Sequence, residues 1–252
     1  MRIGCLLIHG WTGSSFEMEP LVEPLQGEGY LVRNILLPGH GTSFEDFCTT
    51  GWNDWAKHAE QEYEKLAAEV DRVVVVGLSM GGTLSMHLAS KYDVAGVVAL
   101  ATPMYLYSFI PWEMKDWKLP FVPLVKRYLP QISLGRRSDE HLKISPWVGY
   151  DDFVSLEQLH QLMIGVKIVR NELSGVDCPV LISQDRRDKS VPLGNVLTIA
   201  KNVSSKDVTI KMLNITERKT GHHLITTHIE TRETVVCLVK EFIKRLFIQN
   251  CK

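Results

Sequence analysis

No apolar run in the chain approaches the roughly 18 residues a helix needs to span a bilayer, so no integral membrane segment is expected. Residues 3–8 are too few for the apolar region of a signal peptide, and Gly10-Trp11-Thr12-Gly13 breaks the run soon after. Cysteine is sparse and scattered. Cys5, Cys48, Cys178, Cys237 and Cys251 are odd in number, and no two have the CxxC spacing of a zinc knuckle or redox pair. Reduced thiols in a reducing compartment are the simplest account, and the chain reads as cytoplasmic. An excess of one charge is missing too: 28 Lys and Arg oppose 29 Asp and Glu, for a net charge of −1. So balanced a chain has no global field to steer it toward nucleic acid or an anionic membrane. Internal repeats, low-complexity tracts and flexible linkers are also absent, which excludes arrays and largely disordered chains.

What is present is a chain of 252 residues, 45 % hydrophobic and 23 % charged, the make-up of one large globular domain or one domain with an insertion. Such a length buries enough surface to need neither disulfide nor metal support. Short apolar runs at residues 3–8, 30–37, 72–76, 94–100, 180–183 and 208–213 are bounded by Gly and Pro. They are continuously apolar more often than alternating, as strands covered on both faces are. Helical stretches are expected at 18–27, 52–70, 80–91, 193–203 and 231–248. In the last, Val235, Leu238, Val239, Phe242, Ile243 and Leu246 recur at three- and four-residue steps. Strand alternating with helix predicts an α/β fold with a mostly parallel, doubly wound sheet.

Residues 104–170 break that rhythm. No strand pattern is visible there, and Pro111, Pro120, Pro123, Pro130 and Pro146 punctuate the stretch. Trp112, Trp117 and Trp147 lie in it with Tyr105, Tyr107, Phe109 and Phe121. The expectation is a helical cap inserted at 104–170 over a core of 1–103 and 171–252, built from short helical pieces joined by turns. Its aromatics would shape an apolar pocket, so that Ala at Trp112 or Trp117 would shift chain-length preference.

The chemistry is carried by Gly77-Leu78-Ser79-Met80-Gly81-Gly82, set between an apolar strand and a helical stretch. A serine lifted on so sharp a turn has no room for side chains two positions away on either side, hence the glycines. A serine nucleophile needs a base, and the base needs an orienting carboxylate. Downstream, one strand runs into Gln184-Asp185-Arg186-Arg187-Asp188, and another is followed by Gly221-His222-His223. Either acid and either histidine can serve on residue type alone. Asp188 is favoured because it lies far enough past its strand to turn back over the sheet edge. His222 is favoured over His223 because it directly follows Gly221, whose conformational freedom would aim an adjacent imidazole. His9 is expected to support its loop by hydrogen bonding; His40 and His87 read as structural. No histidine spacing suggests a metal.

The chain resembles the small capped bacterial carboxylesterases and monoacylglycerol lipases of the α/β-hydrolase superfamily. The likeness rests on His9-Gly10-Trp11-Thr12-Gly13, Pro38-Gly39-His40-Gly41-Thr42, Gly77–Gly82, Asp188 with Val191-Pro192, and Gly221-His222. It implies Ser79 as nucleophile, Asp188 as acid and His222 as base, in the superfamily's chain order. It also implies an oxyanion hole made by the backbone N–H groups of Trp11 and Met80. The implied activity is hydrolysis of a small-molecule carboxylic ester with an apolar acyl or alkyl portion, without cofactor or metal, by a monomer or weak homodimer that binds no nucleic acid. Two alternatives stay open: a thioesterase or other acyl hydrolase on the same triad, and a hydrolase-fold ligand-binding protein with little turnover.

Overall fold

The structure is a computed structural model, and it describes residues 1–107, 118–133 and 135–248. In chain order the elements are β1 (Ile3–Ile8), α1 (Glu19–Gln26), β2 (Leu31–Ile35), α2 (Phe44–Cys48), α3 (Trp52–Ala67), β3 (Arg72–Leu78), α4 (Met80–Lys91) and β4 (Gly96–Leu100). Then come α5 (Val122–Val125), β5 (Gln131–Ser133), α6 (Asp139–Ile144), β6 (Phe153–Ser155), α7 (Leu156–Glu172), β7 (Val180–Asp185), α8 (Gly194–Asn202), β8 (Val208–Leu213) and α9 (Arg232–Ile248). Six strands form one sheet in the order β2-β1-β3-β4-β7-β8, with every pairing parallel. The chain winds outward from β1 to β2, then returns to lay β3 on the other side of β1. The strand order therefore switches between β1 and β3, where open α/β sheets form a crevice at the carboxyl ends of their strands.

The unbroken apolar runs are explained by two cores. Leu6, Ile8, Val73, Val75, Val97, Ala99, Val180 and Ile182 join the core that includes Trp55 and Leu66 of α3, Leu84 of α4 and Val196 of α8. Their neighbours Cys5, Leu7, Val74, Val76, Val98, Leu100 and Leu181 join the opposite core, with Leu21 of α1 and Val239 of α9. Successive residues of a strand point to opposite faces, so a sheet covered on both needs an apolar residue at each step. The expected stripe of α9 faces the core: Val235, Val239, Phe242 and Ile243 are buried. Each such burial stabilises by about 1.5–3 kcal/mol relative to exposure.

The segment 104–170 departs most from expectation. It contains two strands, β5 and β6, paired antiparallel with Gln131 opposite Ser155 and Ser133 opposite Phe153. Three-residue strands are too short to show alternation, which is why no pattern announced them. Rather than only short pieces it also holds α7, a helix of 17 residues. Leu162, Val166 and Val169 of α7 pack in the core shared with α3 and α4, and the expected boundary at 170 falls inside this helix. Gly165 is the point of closest approach: any side chain there would run into the Trp52 ring. Trp112 and Trp117, which carry the chain-length expectation, lie outside the described residues, as does Phe109. Among the described residues no helix is long and apolar enough to cross a membrane.

Candidate active site

Ser79 sits between β3 and α4 with φ 56° and ψ −120°, a left-handed backbone that L residues avoid. Holding it there costs on the order of 1–3 kcal/mol, which the surrounding packing must offset. The glycines make the turn possible. A Cβ on Gly77 would run into the Gly81 carbonyl, and one on Gly81 into the Ile8 carbonyl of the neighbouring strand. The Ser79 N–H donates to the Leu100 carbonyl at 2.8 Å, anchoring the turn to β4.

The imidazole that meets Ser79 belongs to His223. Its Nε2 lies 2.9 Å from Ser79 Oγ, and its Nδ1 lies 2.8 Å from Asp188 Oδ2. Asp188 is buried in the loop after β7, and its Oδ1 accepts the N–H groups of Ser190 at 2.7 Å and Val191 at 3.0 Å. Those two donors fix the carboxylate so that Oδ2 faces the imidazole, where it also accepts the Gln184 amide N–H at 3.4 Å. The His223 side chain stays 17 % exposed, enough for a substrate to reach it while Asp188 behind it is dry. Burial alone would depress the imidazole pKa. The charge of Asp188, the hydrogen bond to it and the charge of Glu17 outweigh that, with Arg137 opposing, and the group titrates above the ordinary value of 6.5.

The expectation of His222 beside Ser79 is corrected. His222 points away, with Nδ1 3.3 Å from Asp185 Oδ1 and Nε2 2.8 Å from the Glu217 carbonyl. The reasoning from Gly221 fails on a particular point: His222 itself takes the left-handed backbone, at φ 58°, whereas Gly221 is not in that region and has open space where a Cβ would sit. His222 and His223 do project oppositely, as neighbours in a loop should. What sends His222 inward is the buried acceptor set waiting for it. Asp185, the other candidate acid, ends β7 and is spent on structure: Oδ2 accepts the Ile215 N–H at 2.6 Å and Oδ1 the Arg187 N–H at 2.8 Å.

The first loop closes the other side of Ser79. A Cβ on Gly10 would lie 3.3 Å from Ser79 Cβ, so this loop passes directly over the serine. Trp11 follows Gly10 in that loop, and Met80 opens α4, where the first-turn N–H groups have no partner within the helix. His9 is fully buried and braces the loop: Nε2 accepts the Leu37 N–H at 3.1 Å, and Nδ1 lies 2.8 Å from the Gly10 carbonyl. Burial holds its pKa down to about 3, so it stays a neutral brace. His40, buried against His9 at 4.9 Å between ring centroids, is likewise held down to about 4. His87 lies between Glu172 at 2.7 Å and Glu60 at 3.1 Å. No group of His, Cys, Asp and Glu suited to a metal occurs among the described residues.

Residues of the 104–170 segment reach this loop. The Tyr150 N–H donates to the Thr12 carbonyl at 2.9 Å, Ser14 Oγ to the Val148 carbonyl at 3.0 Å, and Trp147 Nε1 to Glu17 Oε1 at 2.7 Å. Sequence reasoning missed Glu17 and Asn195. Asn195 Oδ1 accepts the N–H groups of Met104 at 2.6 Å and Tyr105 at 2.8 Å, pinning the chain that leaves β4. Nothing in a sequence marks an acid or amide as buried when partners such as the Trp147 indole or the Met104 and Tyr105 N–H groups lie far along the chain. Between Met104–Tyr107 and α7 lies a cavity of ≈ 310 Å³ with Leu106, Met163, Ile164 and Val166 in its lining.

Residues 5–236 match the profile of the Alpha/beta hydrolase family, and the chain belongs to that family. It is 32 % identical over 227 residues to the thermostable monoacylglycerol lipase of Bacillus sp. (strain H-257), covering 89 % of this chain and 84 % of that protein. It is 26 % identical over 242 residues to a carboxylesterase of Bacillus subtilis (strain 168), covering 96 % and 92 %. Among solved structures, a chain from the work on LipS and LipT, two metagenome-derived lipolytic enzymes, superposes with a TM-score of 0.85 at 25 % identity over 97 % of this chain and 94 % of its own.

Proposed function

We propose that this alpha/beta hydrolase is a carboxylic ester hydrolase that works through an acyl-enzyme on Ser79. One observation carries the reading: the hydrogen-bonded line from Ser79 Oγ through His223 to Asp188, at 2.9 and 2.8 Å. Ser79 Oγ attacks the ester carbonyl carbon while His223 Nε2 takes the hydroxyl proton, and Asp188 stabilises the imidazolium that forms. The carbonyl oxygen becomes negative at this step, and the N–H groups of Trp11 and Met80 receive it. The tetrahedral species collapses, the bond to the alkoxy oxygen breaks, and His223 returns the proton to the leaving alcohol. Water then repeats the sequence on the acyl-enzyme, releasing the carboxylic acid and restoring Ser79. No metal or organic cofactor enters any step.

The substrate we propose is a small ester with an apolar acyl chain, of the monoacylglycerol kind, lodged between the core and the 104–170 segment acting as a cap. The relatives named monoacylglycerol lipase and carboxylesterase support this. The buried thiols of Cys5 and Cys178, pushed up to about 12 by burial, are unpaired, in keeping with a reducing compartment such as the cytoplasm; a monomer or weak homodimer is part of the same proposal. The test is a panel of p-nitrophenyl esters and monoacylglycerols of graded chain length, with fluorophosphonate labelling. Continuous turnover and a single label at Ser79 are expected. A burst without turnover, or a label elsewhere, overturns the reading.

A further inference from the structure

Glu17 is a buried acid outside the Ser79–His223–Asp188 line. Only 1 % of the residue is exposed, and both its oxygens face N–H donors: Oε2 accepts from Gly10 N–H at 2.6 Å and Oε1 from Trp147 Nε1 at 2.7 Å. An acceptor pair met by two donors is the arrangement of an ionised carboxylate, since a carboxylic proton would face an N–H on either oxygen. The carboxylate also packs against the backbone on the inner side of the first loop. A Cβ on Gly13 would collide with it, and a Cβ on Gly10 would fall 3.0 Å from its Oε2 and 3.3 Å from Ser79 Cβ. Glu17 and Ser79 thus both lie against the loop backbone at Gly10. Through Trp147, whose ring lies 3.9 Å beneath the Arg137 guanidinium, the same carboxylate ties the loop to the 104–170 segment.

We propose that Glu17 is a positioning residue for this reaction: its carboxylate holds the Gly10–Gly13 loop in the form that presents the Trp11 N–H, and its charge favours the imidazolium of His223. The inference rests on the ester-hydrolase reading for its loop half; its charge half rests on the nearness of the Glu17 carboxylate to Ser79, both within 3.3 Å of the point a Gly10 Cβ would occupy, and on the 2.9 Å contact from Ser79 Oγ to His223. Burial pushes the Glu17 carboxyl above the ordinary range, against the hydrogen bonds of Gly10 and Trp147 and the charges of His223 and Arg137. The charged groups that act on His223 are Asp188 and Glu17, which raise its pKa, and Arg137, which lowers it. Removing the Glu17 charge therefore moves the His223 titration down.

The experiment compares wild type, Glu17→Gln, Glu17→Asp and Trp147→Phe on p-nitrophenyl butyrate, and follows the His223 ring signals by NMR against pH. In Glu17→Gln one N–H donor must face an amide N–H2. We expect kcat to fall about 100-fold, the range seen when an oxyanion donor is misplaced, with KM within about twofold. The His223 titration should move to lower pH. Glu17→Asp keeps the charge on a shorter stem, so its titration stays near wild type while kcat remains depressed. Trp147→Phe, which keeps the apolar body and removes only one donor, should lower kcat about tenfold, and it carries the loop test if Glu17→Gln does not fold. Wild-type kcat in both Glu17→Gln and Trp147→Phe, or a loss confined to KM, overturns the loop half; an unmoved titration overturns the charge half. If wild type fails to turn over the ester, the ester-hydrolase reading fails, and the NMR titration still decides whether Glu17 acts on His223.

Discussion

Two histidine–carboxylate pairs lie side by side in this molecule, made from adjacent histidines and from aspartates three residues apart. Asp188 with His223 and Asp185 with His222 share residue types, the loop of their histidines and burial of the acid. They differ in what the second ring nitrogen meets: Ser79 Oγ for His223, the Glu217 carbonyl for His222. The His222 pair is closed off further by Glu217, whose carboxylate also takes His228 Nε2 at 3.2 Å and the Thr220 hydroxyl. Burial works against ionisation of Glu217, but these hydrogen bonds and those of the Lys219 and Thr220 N–H groups win and hold it down to about 2. One pair faces the Ser79 hydroxyl, whereas the other braces the loop that carries the first. Chemistry here depends on the third partner.

Breaking the reactive line should give the largest effects. Ser79→Ala and His223→Gln are each expected to cost on the order of a millionfold in kcat, measured with an activated ester, and Ser79→Ala should lose fluorophosphonate labelling. Asp188→Asn should cost about ten-thousandfold through the wrong imidazole tautomer, with the melting temperature the control for folding. Corresponding changes in the brace should separate the pairs. His222→Gln is expected to keep kcat within about tenfold while losing ~1–3 kcal/mol of stability in denaturant unfolding, because the buried Asp185 carboxylate and the half-buried Glu217 carbonyl lose their partner. If His222→Gln is the inactive variant and His223→Gln the active one, the distinction between the pairs collapses.

Smaller effects sharpen it. The proposed base must be neutral to take the serine proton, and its pKa lies above 6.5, so kcat/KM should fall as pH drops through a value above 6.5. The linked stability has the opposite sense: a raised imidazole pKa stabilises fully below the unfolded value and is lost as pH rises through the folded one. An acid limb at or below the ordinary histidine value would count against His223. The smallest effect belongs to Gly221→Ala. With no left-handed φ and open space for a Cβ, stability should stay level or rise by up to about 1 kcal/mol, with kcat little changed.

Residue type and periodicity were enough to place the six strands of the large sheet and the helices that flank it, because those signals are local. A strand buried on both faces must be apolar throughout, and a serine raised on a tight turn must have glycines where Gly77 and Gly81 stand. The carboxylate that meets His223 is the one favoured from the sequence: Asp188 lies past the end of its strand, whereas Asp185 is the strand's last residue. Local signals stop short of the 104–170 segment, where three-residue strands carry no period and α7 is held by the core it covers. They also stop short of the choice between two adjacent histidines. That choice was made by Asp185, which arrives from the end of β7, with the Glu217 carbonyl of the same loop; His222 turns to them with a left-handed backbone, leaving His223 to face the serine. Only tertiary structure brings such partners together, for the side-chain direction of a loop residue depends on acceptors that are distant in sequence and adjacent in space.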